Sequence, residues 1–191
     1  MNTKEKIFQS AKKLFMERGY FNTSVEEIVK EAGISKGGFY FYFKSKEHMF
    51  KELLQANVQK LFKKLEEYRR TDLPLEEKLK EILKTMLESL YEDKEVGFIF
   101  FFQLVGSSEE FRKLYFEKSK YIRSLFQRLI EEEAQKGSIC KGVDPEVIAS
   151  LLLGLIRVVY LDLLLRQDLT LEASKEKVQK GVEIVMRGIR C

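Results

Sequence analysis

The sequence predicts an all-α protein of about nine helices, in which a small amino-terminal three-helix domain precedes a larger helical domain. Three observations support this prediction. Apolar residues recur at helical spacing along most of the 191 residues. Only two prolines interrupt these patterns. The composition, 45% hydrophobic and 34% charged, suits a helical core with a charged surface.

The first two helices have recognisable ends. The first is predicted to begin after Asn2 or Thr3 and to stop at Gly19, and its apolar face comprises Ile7, Phe8, Ala11, Leu14 and Phe15. Residues 23–26, Thr-Ser-Val-Glu, are interpreted as the capping box of the second helix. That helix is predicted to end at Gly33 after about two turns.

The stretch SKGGFYFYFKSK, residues 35–46, can be interpreted in two ways. Its alternating Phe and Tyr residues are typical of a half-buried strand, but no neighbouring segment offers a partner strand. As a helix capped by Ser35, it brings Phe39 and Phe43 to one face as core residues. A short helix, a glycine turn and a second short helix then form a helix-turn-helix.

The remaining helices follow from apolar periodicity and from Gly, Pro and Asp breaks. Ser45 caps a long fourth helix that breaks at residues 71–74. Five more helices are predicted at 75–92, 95–105, 108–136, 145–167 and 171–190. We expect a first domain of residues 1–46, extending along the fourth helix to about residue 60, and a second domain of residues 47–191.

Charge is unevenly distributed along the chain. Residues 1–46 hold nine Lys and Arg residues against five Asp and Glu residues, whereas the remainder holds 25 of each kind. The whole net charge of +4 therefore lies in the first quarter of the chain. An anionic partner is expected to bind there.

Cysteine and histidine are too few to build a site of their own. The chain has two cysteines, Cys140 and Cys191, and a single histidine, His48. These numbers predict no disulfide framework, no metal site and no cofactor, and they suit a reduced, cytoplasmic protein. The pattern also contains no nucleophile or carboxylate pair in a catalytic setting, so an enzyme is not expected.

The stretch TSVEEIVKEAGISKGGFYFYFKSKEHMF, residues 23–50, resembles the helix-turn-helix signature of the TetR family of transcriptional repressors. The resemblance includes the AGIS turn, the SKG start of the recognition helix and the FKSKE junction. It implies a DNA-binding regulator, most simply a dimeric repressor that a small, largely apolar ligand releases from a palindromic operator. The carboxy-terminal part carries no matching motif, so the resemblance does not identify the ligand.

The resemblance also implies which residues contact double-stranded DNA. Thr23, Tyr42 and Lys46 match the family's phosphate contacts, and Ser35 begins the recognition helix. The positions that face the major groove are Lys36, Gly37, Gly38, Tyr40 and Phe41. Gly38 stands where the family often has Thr, so the backbone is expected to approach DNA more closely there.

The segment Val147–Leu165 is apolar enough to be mistaken for a membrane span. Arg157 and Asp162 argue against a span, because each charge near the bilayer centre costs about 2.5–3.5 kcal/mol. The resemblance implies that the last two helices form a four-helix bundle with a second copy of the chain. That homodimer would cover the apolar residues of both helices.

The phenylalanine-rich segment Glu95–Gly106 is apolar on every side and is expected to be interior. Plain core is one alternative, and a lined cavity for an apolar effector is the other. Candidate ligand contacts are Phe98, Phe101, Phe102, Tyr115 and Arg157. Arg157 either anchors an acidic head group or forms a salt bridge at the rim of the helical bundle.

Two alternatives belong to other functional classes. An enzyme is disfavoured because the pattern contains no catalytic arrangement. A helical interaction module that does not bind DNA is the other alternative, and a salt-dependent gel shift separates it from a DNA-binding regulator.

Overall fold

A computed structural model of the chain describes residues 2–190, apart from the side chain of Asn57. These residues form nine α-helices and one π-helical segment, with no strand among them. The helices are α1 Thr3–Arg18, α2 Val25–Ala32, α3 Lys36–Tyr42, α4 Lys46–Arg69, α5 Leu75–Glu92, α6 Lys94–Phe98, the π segment Ile99–Leu104, α7 Glu109–Gln135, α8 Pro145–Leu165 and α9 Leu171–Ile189. The all-α prediction is confirmed, and the aromatic stretch is a helix.

The caps of the first two helices are partly as predicted. The Asn2 side chain accepts the N–H of Glu5 at 2.9 Å, and α1 ends at Gly19 with a φ of 88°. The predicted capping box of α2 is wrong by one residue. Ser24 caps α2, and Glu27 accepts the Ser24 N–H at 2.8 Å.

The chain divides into two compact units. The first comprises Met1–Lys60 with Asp93–Arg112, and the second comprises Leu61–Glu92 with Lys113–Cys191. The residues of α4 and α7 are therefore shared between the units. The first unit includes residues 93–112, which were expected in the larger domain.

The core of the first unit is aromatic. Phe39 and Phe43 of the α3 region are 0% and 1% exposed, as their spacing predicts. The ring of Phe43 lies 5.4 Å from the ring of Phe8 on α1, and the ring of Phe15 lies 6.0 Å from that of Phe50 on α4. Helix α3 is thus held against α1 by a ring pair in which Phe43 is buried and Phe8 is half-buried.

Residues 93–112 join this unit through contacts that are distant in sequence. Asp93 pairs with Lys12 of α1 at 2.9 Å, and the Phe111 ring packs 5.7 Å from the ring of Phe50. The π segment includes a hydrogen bond from the N–H of Val105 to the Phe100 carbonyl at 2.9 Å. The expectation that this segment is interior on all sides is wrong, because Phe102 is 45% exposed.

The second unit is built on α5, α8 and α9. Lys80 and Lys175 connect α5 and α9 through ion pairs with Glu183 at 3.1 Å and Glu88 at 2.7 Å. Helices α8 and α9 approach closely at Gly181, where an added Cβ would lie 2.4 Å from a methyl carbon of Leu155. The buried side chains along α9 are Ser174, Val178, Val182, Met186 and Ile189.

By length and composition, α8 is the one described helix that would be able to cross a membrane. Its inner face is buried within the unit, and Tyr160 donates a hydrogen bond to the Leu90 carbonyl at 3.3 Å. Asp162 pairs with Lys177 of α9 at 3.1 Å. These are the features of a core helix, in agreement with the argument from its charges.

The expectation that both cysteines are reduced is wrong for Cys140, which is disulfide-bonded. The Cys140 N–H also donates to the Ile189 carbonyl at 2.9 Å, so the loop before α8 lies against the end of α9. This proximity across the fold leaves no local signal in the sequence. Cys191 lies outside the described residues.

Candidate nucleic-acid interface

Helix α3 presents three aromatic side chains to solvent. Ser35 caps it by accepting the N–H of Gly38 at 3.0 Å, and buried Phe39 anchors its inner side. On its outer side Tyr40 is 48%, Phe41 82% and Tyr42 40% exposed. Exposed aromatic residues next to one another mark an interaction surface.

The two glycines of α3 are not required by the packing of the chain itself. A Cβ at Gly37 would meet only the Ser35 hydroxyl, at 3.8 Å, and one at Gly38 would meet the same atom at 3.4 Å. Neither glycine has a positive φ. A helical glycine costs about 1 kcal/mol relative to alanine, so the pair destabilises α3. In return, the α3 backbone is not covered by side chains at these two positions.

Lys36 is exposed and pairs with Glu26 of α2. Their hydrogen bond raises the pKa of Lys36 and lowers the pKa of Glu26. A surface pair of this kind contributes little to stability, so the Lys36 ammonium is available to another anion. Lys13 and Glu31 form a similar exposed pair at 2.6 Å elsewhere in the first unit.

Thr23 is placed differently from the expectation. It is 1% exposed, and its hydroxyl donates to the Gly19 carbonyl at 2.9 Å. The role of α2 cap falls to Ser24, and the Thr23 hydroxyl is bonded within the protein. Thr23 therefore fixes the turn between α1 and α2.

Lys46 also has internal partners. Its ammonium donates to the carbonyls of Tyr20 and Thr23, both at 2.6 Å, and lies 4.3 Å from the centre of the Tyr20 ring. Burial lowers the pKa of Lys46 and raises that of the Tyr20 hydroxyl. Lys46 ties the first turn of α4 to the α1–α2 turn.

Gln103 is a positioning residue that was not predicted from the sequence. From the π segment, its Oε1 accepts the N–H of Tyr20 at 2.7 Å, and its Nε2 donates to the Phe15 carbonyl at 3.4 Å. Gln103 is the polar residue within the apolar run FIFFFQLVG, which was the available signal. The amide group therefore ties the π segment to the end of α1, where the Phe15 carbonyl also accepts the N–H of Gly19 at 3.0 Å.

The five candidate ligand residues fall in different units. Phe98, Phe101 and Phe102 belong to the first unit, and Phe98 lies 4.9 Å from Phe102 between ring centres. Tyr115 and Arg157 belong to the second unit, where Arg157 lies 5.1 Å from the centre of the Tyr115 ring. No carboxylate of residues 2–190 forms an ion pair with Arg157, so the rim salt bridge is not observed.

The titratable groups that the structure describes offer no metal centre. No group of three His, Cys, Asp or Glu side chains in this part of the chain is arranged to hold a metal ion. His48 instead accepts the N–H of Lys44 through Nδ1 at 3.3 Å and approaches Glu52 at 3.4 Å. It supports the junction between α3 and α4.

Comparison with known proteins identifies the family. Residues 7–53 match the family model described as bacterial regulatory proteins, tetR family, and residues 77–185 match the model of the tetracyclin repressor-like C-terminal domain. The chain belongs to the TetR family. It is similar to a transcriptional regulator from Aquifex aeolicus VF5, at 36% identity and a TM-score of 0.80, over 96% of this chain and 99% of that one.

Two further comparisons are with proteins of Bacillus subtilis. The chain is 26% identical over 150 residues to the fatty acid metabolism regulator protein of Bacillus subtilis strain 168, covering 78% of this chain and 77% of the relative. The structure of the B. subtilis regulator FadR in complex with stearoyl-CoA has the same fold, with a TM-score of 0.80 at 24% identity over 97% of this chain and 99% of that one.

Proposed function

We propose that the protein is a cytoplasmic dimeric repressor that binds a palindromic operator and leaves it when a small, largely apolar ligand binds. DNA binding is assigned to residues 1–46 with the start of α4, to about residue 60, and ligand binding and dimerisation to residues 47–191. The observation that carries this proposal is the surface of α3, where exposed aromatic rings, two glycines and a lysine lie over a buried aromatic base.

The proposed DNA contacts divide into base and backbone contacts. Lys36 can donate to base acceptors in the major groove, and Phe41 can contact a thymine methyl group. Tyr40 and Tyr42 present half-exposed rings whose hydroxyls can donate to bases or phosphates. Ser35, Gly37 and Gly38 let the backbone approach the groove. Thr23 and Lys46 remain proposed contacts, although their internal hydrogen bonds give them a positioning role as well.

The proposed homodimer rests on an apolar stripe along α8. Its members follow one another at alternating intervals of four and three residues, as in a helix–helix seam, and they are Val147, Leu151, Gly154, Val158, Leu161 and Leu165. Val147, Leu151, Val158 and Leu165 are each more than half exposed, as is Ile184 of α9. A second copy of the chain would cover this stripe, and two copies would set two recognition helices about 34–36 Å apart.

The proposed effector carries an acyl chain. Its class is supported by the relative named for fatty acid metabolism and by the fold relative that holds stearoyl-CoA. Helix α4 is continuous and its residues belong to both units, so it can transmit a ligand-dependent change to the recognition helix. Weakening operator affinity about a hundredfold requires a preference of only about 2.7 kcal/mol for the DNA-incompetent form.

Selection from random duplex DNA, followed by titration with acyl compounds, tests the proposal. We expect the selected sequences to share a palindrome and the chain to bind it as a dimer with strong salt dependence. Saturating dodecanoate or its coenzyme A thioester should lower operator affinity about a hundredfold, measured by fluorescence anisotropy. Selection that enriches no sequence contradicts the DNA assignment, and operator affinity that no acyl compound changes contradicts the effector assignment.

Gly38→Ala is expected to stabilise the fold while weakening operator binding. The added methyl group would meet no atom closer than 3.4 Å, so the free energy of unfolding should rise by up to about 1 kcal/mol. Operator affinity should fall because the methyl group stands on the face that approaches DNA. Chemical denaturation and anisotropy measure the two quantities. An unchanged affinity would place Gly38 outside the interface.

A further inference from the structure

Two arginines of the second unit lack the acidic partner that a half-buried guanidinium group usually has. Arg157 of α8 donates from Nη2 to the Ser119 hydroxyl at 3.0 Å and stacks near the Tyr115 ring. Arg123 of α7 is half-buried, and its Nε is buried with no hydrogen-bond partner within residues 2–190. Neither arginine forms an ion pair with a described carboxylate.

Arg123 lies on the face of α7 that Arg157 contacts from α8. Tyr115, Ser119 and Arg123 follow one another at four-residue intervals, so they share one face of α7. From α8, Arg157 contacts Tyr115 and Ser119. Arg123 is the next residue of this face, one helical turn beyond Ser119. All four residues belong to the second unit.

Half-burying the guanidinium groups of Arg123 and Arg157 costs free energy unless an anionic group pairs with them. A hydroxyl and a ring face do not neutralise a guanidinium group, and an unpaired buried donor costs free energy. Glu66 of α4 approaches a different arginine of α7, Arg128, at 3.7 Å, and it is already bonded to Arg69 at 2.8 Å and to the Tyr121 hydroxyl at 3.1 Å. An anionic ligand would supply the acidic partner that no described carboxylate supplies to these two arginines.

We propose that Arg123 and Arg157 bind the anionic head group, a carboxylate or a phosphate, of the effector whose apolar part occupies the second unit. The planar guanidinium group suits both anions, because it donates two parallel hydrogen bonds to their oxygens. Ser119 and Tyr115 orient Arg157 for this contact, and the unpaired Nε of Arg123 is the donor left for it. This inference rests on the proposed function, since it specifies the chemistry of that effector.

Calorimetric titration with matched amphiphiles tests the inference. The probes are dodecanoate, dodecyl phosphate, dodecanoyl coenzyme A and uncharged dodecanol, each below its micelle concentration. The dimeric wild-type protein should bind at least one anionic probe about tenfold or more tightly than dodecanol. Arg123→Gln and Arg157→Gln should each remove that preference and leave dodecanol binding unchanged.

Arg128→Gln is the matched control, because Arg128 lies on the same helix but is exposed and approaches Glu66 at 3.7 Å. This variant should keep the preference. Arg123→Gln should fold at least as stably as the wild type, since it removes a guanidinium group that has no partner. A preference for dodecanoate identifies a carboxylate head group, whereas a preference limited to the other two anions identifies a phosphate.

Four results would overturn the inference. The first two are equal affinity for all four probes and no binding by any of them. The third is a preference for the anions that survives in the double variant. The fourth is loss of the dimer in either variant, which would show that the arginines contact the second copy of the chain. Operator release is measured in the same samples. Release by dodecanol as readily as by the anions would leave the proposed function standing without the head-group site. A preference for the anions without release of the operator would support the head-group site and contradict the proposed function.

Discussion

Replacing Leu151 and Val158 of α8 with aspartate is expected to make the protein monomeric and to lower operator affinity at least about a hundredfold. The two side chains are 54% and 58% exposed, and they lie two turns apart on the apolar stripe. Four carboxylates in the symmetric interface would be buried without partners, which costs several kcal/mol. A monomer would retain one recognition helix and lose the contacts of the second half-site.

Sedimentation and fluorescence anisotropy measure these two losses, and circular dichroism verifies the fold. Leu73→Asp is the control, because Leu73 is a comparably accessible leucine, 41% exposed, in the α4–α5 connection. That variant should remain a dimer with unchanged operator affinity. A wild-type protein that sediments as a folded monomer at micromolar concentration would contradict the prediction, because the prediction requires the wild type to be a dimer.

Lys36→Gln combined with Phe41→Ala is expected to lower affinity for the selected operator about a hundredfold while leaving the dimer and the fold intact. A well-placed base contact is worth about 1–3 kcal/mol, so loss of two contacts gives an effect of this order. Phe41 is 82% exposed and contributes little to the core. The preference between bases should change as well, because these contacts read sequence.

Lys13→Gln is the matched control for Lys36→Gln. Both lysines are exposed, and each pairs with one glutamate of α2. Since only Lys36 lies on α3, loss of Lys13 should change operator affinity by less than about threefold, the effect of one distant surface charge. Equal losses from Lys13→Gln and Lys36→Gln would show that bulk charge, and not the recognition helix, determines binding.

Features determined by nearby residues could be predicted from the sequence. The caps at Asn2 and Ser35 depend on contacts within three residues. The burial of Phe39 and Phe43 follows from their spacing once the strand alternative lacks a partner. The second cap shows where such reasoning ends. Thr23 with Glu26 and Ser24 with Glu27 are both possible capping boxes, and only the packing of the Thr23 hydroxyl under Gly19 selects the second.

Features that depend on distant contacts could not be predicted from the sequence. Lys46 looks like a phosphate ligand by position, but its ammonium is bound by carbonyls more than 20 residues away. Gln103 reaches Tyr20 across 83 residues of sequence. No sequence pattern singles out Arg123, because the lack of a hydrogen-bond partner for its Nε is known only from the folded structure.

Photocrosslinking from α3 tests the central claim most directly. Benzoylphenylalanine replaces Phe41 in one protein and Phe116 in another, because both are exposed phenylalanines, at 82% and 61%, and only Phe41 lies on α3. With the selected operator, position 41 should crosslink to bases in both half-sites, and position 116 should give no DNA adduct. Absence of a DNA adduct from position 41 under conditions of full operator binding, or equal adducts from both positions, would contradict the assignment of α3 as the recognition helix.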